Sequence, residues 1–258
     1  MSPRRLLQAL HLALTAACGA GGDAAPEGAV AMFRGGPAHL GVAETEAGTA
    51  YGGLLWKLRV GAPVRSSPVV ADGIVYVGAS DAKLRAIDAR TGEILWAADA
   101  GAPIDAAPAV AGEIVLAATR EGGFLAFARA DGAVRWRVRA GKELPLAWEG
   151  MSGDLYTASP AVAGDVAVFG GGDGAVTAIE LASGDVRWRF ATGGRVRSSP
   201  AIADGVVYAG SADGSLYAIT LDDGREIWRF DTAGRRLDSA RYGYDRRTIT
   251  SSPAVAGG

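Results

Sequence analysis

Short apolar runs separated by glycine-containing turns follow one another along most of this 258-residue chain. Between residues 68 and 98 the runs are PVVA, IVYVGA, KLRAIDA and EILWAA. The interruptions contain turn pairs such as Asp72-Gly73 and Thr91-Gly92. Asp-Gly supplies the positive φ angles of a tight hairpin, and apolar runs of this length are typical of strands. Outside the N-terminal region no segment has the period of an amphipathic helix, so the pattern predicts an all-β protein.

The strand pattern returns with a fixed period. Tryptophan ends it at positions 56, 96, 136, 188 and 228, and proline opens it at 68, 108, 160, 200 and 253. Most of these spacings are 40 residues, whereas 52 and 53 residues separate the copies that contain long connections. Four strands per ~40 residues is the unit of a β-propeller blade. The chain therefore predicts four complete four-stranded blades, an extra strand around Trp56 and the first strand of a fifth blade, in an incomplete ring.

The repeated phrase resembles a known family. AIDARTGEILW (86–96) looks like the tryptophan-docking motif of the pyrroloquinoline-quinone (PQQ) repeat, and residues 198–228 read like one complete PQQ-like blade. AMFRGGPAHLGV (31–42) is similar to the lead-in of bacterial PQQ-like propellers. A large aromatic residue at one fixed place in each blade can fill the wedge between neighbouring blades, so docking is favoured over ligand stacking. The docking residues of the complete blades are Trp96, Trp136, Trp188 and Trp228.

The N-terminal residues have a different composition. Arg4 and Arg5 precede the apolar stretch from Leu6 to Ala17, which is typical of an export signal. TAAC (15–18) resembles a bacterial lipobox, so Cys18 is a candidate lipidation site. We therefore divide the chain into a signal (1–18), a flexible linker and lead-in (19–50) and the PQQ-like propeller (51–258). Because the chain has a single cysteine, it forms no intramolecular disulfide.

Charge and composition narrow the function classes. A net charge of −2 gives no electrostatic reason to expect nucleic-acid binding. With only His11 and His39, a histidine-based catalytic or metal site is not indicated. The recurring serine pairs before proline are interpreted as strand-start hydrogen-bonding groups rather than nucleophiles. We interpret the following aspartates as turn-forming residues rather than calcium ligands: Asp88, Asp131, Asp173 and Asp213.

Two long connections, residues 141–157 and 233–250, interrupt the period. Each joins a Trp strand to the next Pro strand, so both are predicted on the same face of the propeller. Aromatic and arginine residues in loops are typical of binding hot spots, although such loops also serve as solvated plugs of a propeller top. The candidate binding residues are Trp148, Glu149, Asp154, Tyr156, Arg241, Tyr242, Tyr244, Asp245 and Arg246.

These features predict a non-catalytic extracytoplasmic scaffold that binds protein partners and needs no cofactor. The resemblance extends to the propeller lipoprotein of the outer-membrane protein assembly machinery. It implies a bacterial protein exported to the periplasm, which contacts a membrane only through a lipid anchor. No catalytic, cofactor-binding or metal-binding residue is assigned.

Two alternatives remain open at the sequence level. The chain could be a fragment of a PQQ-dependent alcohol or sugar dehydrogenase, for which the resemblance implies PQQ and calcium in the central channel. No adjacent cysteine pair of those enzymes is present. A sensor or accessory propeller is the third interpretation. Because Gly258 falls between the first and second strands of a blade, we expect the sequence to be a fragment or an early-terminated product.

Overall fold

A computed structural model describes residues 30–40, 53–142, 144, 157–236 and 247–256 of the chain. The regular elements of these residues are β-strands, apart from two short 3-10 turns at Phe33–Gly35 and Ala233–Arg236. No helix in these ranges is long and apolar enough to span a membrane. The all-β prediction is confirmed.

Four antiparallel sheets follow one another along the described chain, each with four strands in sequence order. Each sheet is one blade of an incomplete propeller, as predicted. Blade 1 contains β2 (Val69–Ala71), β3 (Ile74–Gly78), β4 (Lys83–Asp88) and β5 (Ile94–Asp99). Blade 2 contains β6 (Ala109–Ala111), β7 (Ile114–Ala118), β8 (Gly123–Ala128) and β9 (Val134–Arg139), and the short strand β1 (Val30–Ala31) pairs with β6. Blade 3 contains β10 (Ala161–Ala163), β11 (Val166–Gly170), β12 (Ala175–Glu180) and β13 (Val186–Ala191). Blade 4 contains β14 (Ala201–Ala203), β15 (Val206–Gly210), β16 (Ser215–Thr220) and β17 (Glu226–Asp231).

A two-residue turn that contains a glycine with a positive φ angle joins the first two strands of each blade. Asp72 and Gly73 connect β2 to β3 with φ angles of 46° and 73°, the left-handed pair that a tight two-residue hairpin requires. The third and fourth strands of every blade shift register by one residue next to the pair that contains the repeated tryptophan, as at Ala86 and Ile87 in blade 1. Such a bulge increases the local twist of the sheet.

The first strands of the blades surround the propeller axis. Blades approach one another through these strands, with β2 against β6, β6 against β10, and β10 against β14. The fourth strands therefore form the rim. We call face I the side with the turns that follow the first and third strands. Face II carries the turns that follow the second strands and the connections from one blade to the next.

Burial follows the position of each blade in the row. All five residues of β11 in blade 3 are buried, because blades 2 and 4 cover both faces of that sheet. Every residue of β17 in blade 4 is exposed, including Phe230 at 61%. Stacked blades thus bury both faces of a sheet, and an end blade leaves one face in contact with solvent.

Two predicted strands differ from the expectation. Residues 53–60 around Trp56 and residues 251–256 of the fifth copy have no strand pairing in the structure. A strand is defined by hydrogen bonds to a neighbour, and the described residues supply no partner strand at either place. Residues 30–40, which belong to the predicted linker and lead-in region, contribute β1 and pack into the propeller.

Candidate functional site

The seams between blades are built around the repeated tryptophans. Each docked indole Nε1–H donates a hydrogen bond to a carbonyl in the last turn of the following blade. Trp136 of blade 2 donates to the Leu181 carbonyl at 2.9 Å, and Trp188 of blade 3 donates to the Leu221 carbonyl at 2.8 Å. Both side chains are 8% exposed. Trp96 makes the same bond to the Arg129 carbonyl at 2.9 Å.

At the two ends of the series of blades, Trp56 follows this pattern and Trp228 does not. Trp56, which precedes blade 1, donates to the Ala89 carbonyl of that blade at 2.8 Å, so residues around it take the position of a preceding blade's rim strand. Trp228 at the other end is 43% exposed. The docking turn of a following blade is not among the described residues, and the Trp228 ring lies beside Tyr208 of its own sheet.

A hydrogen-bonded series of serines connects the blades near the axis. Three of the repeated prolines are preceded by a serine that accepts the backbone N–H of the equivalent residue in the blade before it. Ser159 Oγ accepts from Ala107 N at 3.0 Å, Ser199 Oγ from Ser159 N at 2.9 Å, and Ser252 Oγ from Ser199 N at 3.0 Å. These serines therefore bond between blades, a role that the sequence interpretation of local strand-start bonding did not include.

The turn aspartates also have two kinds of role. Asp88 Oδ1 accepts the N–H groups of Arg90 and Thr91, and Asp131 Oδ1 accepts that of Ala133, so these two shape their own turns. Asp173 and Asp213 shape their turns and also reach the preceding blade. Asp173 Oδ2 accepts Gly141 N–H at 2.5 Å, and Asp213 Oδ2 accepts Gly193 N–H at 2.7 Å. Repeat period alone did not indicate these contacts between blades.

Residues 30–40, which we call the crossing segment, traverse the space between the first strands. β1 pairs with β6 of blade 2, with Val30 opposite Ala111. The Pro37 carbonyl accepts Ile202 N–H of blade 4 at 2.7 Å, and the Ala38 carbonyl accepts Val255 N–H of the fifth copy at 3.0 Å. The segment thus contacts blades that are not neighbours of one another.

His39 fixes the end of the crossing segment. Its Nδ1–H donates to the Pro253 carbonyl at 3.1 Å, and its ring lies edge-on to Phe33 with centroids 5.4 Å apart. The side chain is 2% exposed, and Nε2 is buried with no hydrogen-bond partner. Burial lowers the pKa of His39, and the nearby positive charge of Arg34 lowers that pKa further, against the opposite effect of the Pro253 carbonyl.

Within the described ranges no group of three or more His, Cys, Asp or Glu side chains could hold a metal ion. The inner edges of blades 2 and 4 are bonded to the crossing segment. A cavity of about 260 Å³ lies near the rim, beside Trp96 and Arg129.

The predicted lipidation and loop residues lie outside the described residues. Only the flanks of the two long connections are described, and the strand directions place both flanks on face II. The residues concerned are Cys18, Trp148, Glu149, Asp154, Tyr156, Arg241, Tyr242, Tyr244, Asp245 and Arg246.

Four-stranded blades joined by docked tryptophans define the chain as a PQQ-like β-propeller. The sequence profile of the family described as outer membrane protein assembly factor BamB matches residues 24–141 and 126–249. Since these matches cover most of the chain, the protein belongs to this family. A search of curated protein sequences finds no match.

Solved structures share the fold. BamB from Moraxella catarrhalis superposes with a TM-score of 0.62 at 20% identity, over 82% of this chain and 63% of that one. The quinohemoprotein alcohol dehydrogenase of Comamonas testosteroni gives a TM-score of 0.53 at 21% identity, over 66% of this chain and 35% of the enzyme. The computationally designed Ika8 protein gives 0.54 at 18% identity, over 71% and 50%. The chain therefore spans less than two thirds of the length of each of these proteins.

Proposed function

We propose that this chain is part of an exported bacterial scaffold that binds proteins during outer-membrane protein assembly. Family membership is the observation that carries the proposal. The crossing segment supports a non-catalytic role, because it occupies the inner edges of blades 2 and 4 with backbone hydrogen bonds. The proposal includes periplasmic location, with lipidation of Cys18 as the attachment to a membrane.

Face II is the proposed partner-binding side. The connections 141–157 and 233–250 both leave and re-enter the propeller there, and they contain the aromatic and arginine residues expected of a hot spot. Each connection follows a fourth strand, β9 or β17, that ends on face II, which supports a location of both on this side. We expect Trp148 and Arg246 to contribute contacts with an outer-membrane assembly protein.

The test is site-specific crosslinking in the native host. A photoreactive residue at position 148 or 246 is expected to crosslink to a component of the assembly machinery, and Trp148→Ala or Arg246→Ala is expected to reduce copurification of that component at least tenfold. Arg90→Ala, on an exposed turn of face I, is the matched control. Unchanged copurification with the loop variants, or loss with Arg90→Ala alone, would reject face II as the partner surface.

The alternative of a PQQ-dependent dehydrogenase is tested on the same purified protein. Similarity to the alcohol dehydrogenase is at the level of fold and assigns no activity. Under the scaffold proposal, PQQ with calcium does not bind tightly, and no dye-linked alcohol oxidation is observed. Tight binding accompanied by alcohol oxidation would reject the scaffold and support the enzyme.

A further inference from the structure

Most polar contacts of the crossing segment use its backbone. β1 pairs with β6, and the carbonyls of Pro37 and Ala38 accept N–H groups from blade 4 and the fifth copy. An extended peptide that adds to a strand edge is held in the same way, with main-chain bonds supplying affinity and side-chain pockets supplying specificity. The segment therefore has the properties of a bound peptide that is covalently continuous with its receptor.

Two side chains of the segment enter the wall between blades. Met32 is 4% exposed and belongs to the core that blades 2, 3 and 4 share. Phe33 packs against the other core, formed by blades 1 and 2. Leu40, at the end of the segment, is 52% exposed. Met32 is thus the buried apolar anchor of the segment, and Leu40 provides a control of similar size and polarity.

Between Met32 and Leu40, three residues of the segment have left-handed backbone conformations. Arg34 and Gly35 have φ angles of 55° and 78°, and His39 has a φ of 58°. L-residues adopt this left-handed region at a cost, so it persists where surrounding contacts compensate. Here the compensating contacts are the buried Met32 side chain and the bond from His39 to the Pro253 carbonyl.

We propose that the inner edges of blades 2 and 4, together with residues 253–255, form a peptide-binding site that residues 30–40 occupy in cis. Its ligand class is an extended peptide with a buried apolar anchor, followed by a turn and a hydrogen-bonding side chain. The site is independent of the partner surface proposed on face II. Its occupant ties blade 2 to blade 4 and to the fifth copy across the axis.

The experiment uses the whole chain with a protease recognition sequence inserted within residues 41–52. After folding and cleavage, the N-terminal fragment is expected to coelute with the propeller in size-exclusion chromatography. A labelled synthetic peptide of residues 28–42 is expected to exchange with it, and a scrambled peptide is not. Immediate release of the wild-type fragment, or equal exchange of the scrambled peptide, would overturn the proposal.

Paired variants identify the anchor. Met32→Asp is expected to speed release of the cleaved fragment by about tenfold or more, because a charge replaces a buried apolar side chain. Leu40→Asp is expected to leave release within about twofold of the wild type. Equal release rates for the two variants would contradict the assignment of Met32 as the anchor. If Met32→Asp does not fold, displacement of the wild-type fragment by a Met32→Asp peptide gives the same comparison.

Discussion

At the scale of single residues, each seam between blades depends on a glycine that lets an indole lie against the backbone. A Cβ atom built on Gly184 would lie 2.6 Å from Cγ of Trp136, and one on Gly224 would lie 2.6 Å from Cδ2 of Trp188. Both glycines also have positive φ angles. The glycine is thus required twice, once by the turn and once by the docked ring of the preceding blade.

Two glycine substitutions separate these requirements. At Gly205, with a φ of 73°, an added Cβ would meet nothing within 4 Å, whereas at Gly184, with a φ of 82°, it would meet Trp136. Gly205→Ala is expected to cost about 1–2 kcal/mol of unfolding free energy through backbone strain alone. Gly184→Ala is expected to cost about 1–3 kcal/mol more through overpacking. Denaturant unfolding measures both, and equal losses would show that the docked ring adjusts without cost.

Adjacent serines provide a second comparison at this scale. Ser199 Oγ accepts the buried Ser159 N–H, so Ser199→Ala is expected to destabilise the protein by about 1–3 kcal/mol. Ser198 Oγ is buried with no hydrogen-bond partner, so Ser198→Ala is expected to be neutral or slightly stabilising. Thermal melts of the two variants test this. A larger loss for Ser198→Ala would show that the hydrogen bond between blades is not the stabilising feature.

At the scale of elements, a blade is determined locally and the crossing segment is not. The predicted runs IVYVGA (74–79) and EILWAA (93–98) correspond within one residue to β3 and β5. Strand periodicity and Asp-Gly turns are properties of neighbouring residues, so the sequence contains them directly. The crossing segment bonds to residues more than 200 positions away, such as Pro253 to His39 at a separation of 214, and no local pattern specifies such a partner.

The crossing segment makes stability depend on pH through His39. Its pKa is lowered in the folded state, so folding favours the neutral imidazole over the protonated one relative to the unfolded chain. The unfolded chain binds a proton below about pH 6.5, and stability is therefore lost as the pH falls through that value. We expect the unfolding midpoint to decrease between pH 7.5 and 5.5, and to decrease less in His39→Asn.

Asparagine is a suitable replacement because it tolerates the left-handed backbone at this position and keeps a side-chain N–H donor for Pro253. Arg34 is retained in both proteins, so its charge does not account for the difference. Parallel pH profiles for the wild type and His39→Asn would contradict the role of this imidazole.

At the scale of the whole molecule, strand direction orients the propeller relative to its N-terminus. β1 is antiparallel to β6, and Val30 lies opposite Ala111, the last residue of β6 before the face I turn. The chain therefore enters the space between the blades from face I. Eleven residues separate Cys18 from Val30, which span at most about 40 Å. With Cys18 lipidated, face I would lie towards the membrane and face II away from it.

Fluorophores on the two faces test this orientation in the lipidated protein bound to vesicles. Glu113→Cys labels an exposed turn on face I, and Glu121→Cys labels an exposed turn of the same blade on face II. We expect lipid-headgroup quenchers to quench the label at position 113 more strongly. Stronger quenching at position 121 would reverse the assignment, and equal quenching would show that the anchor does not orient the ring.

The sequence alone determined the blades of this protein, because strand period, turn residues and the repeated Trp and Pro positions are local information that four copies reinforce. It also indicated the family. Only the tertiary structure determined which carbonyl each tryptophan meets, which N–H each serine accepts, and that residues 30–40 bond to both blade 2 and blade 4. These contacts join residues that are remote along the chain, and they depend on how the blades stack around an axis.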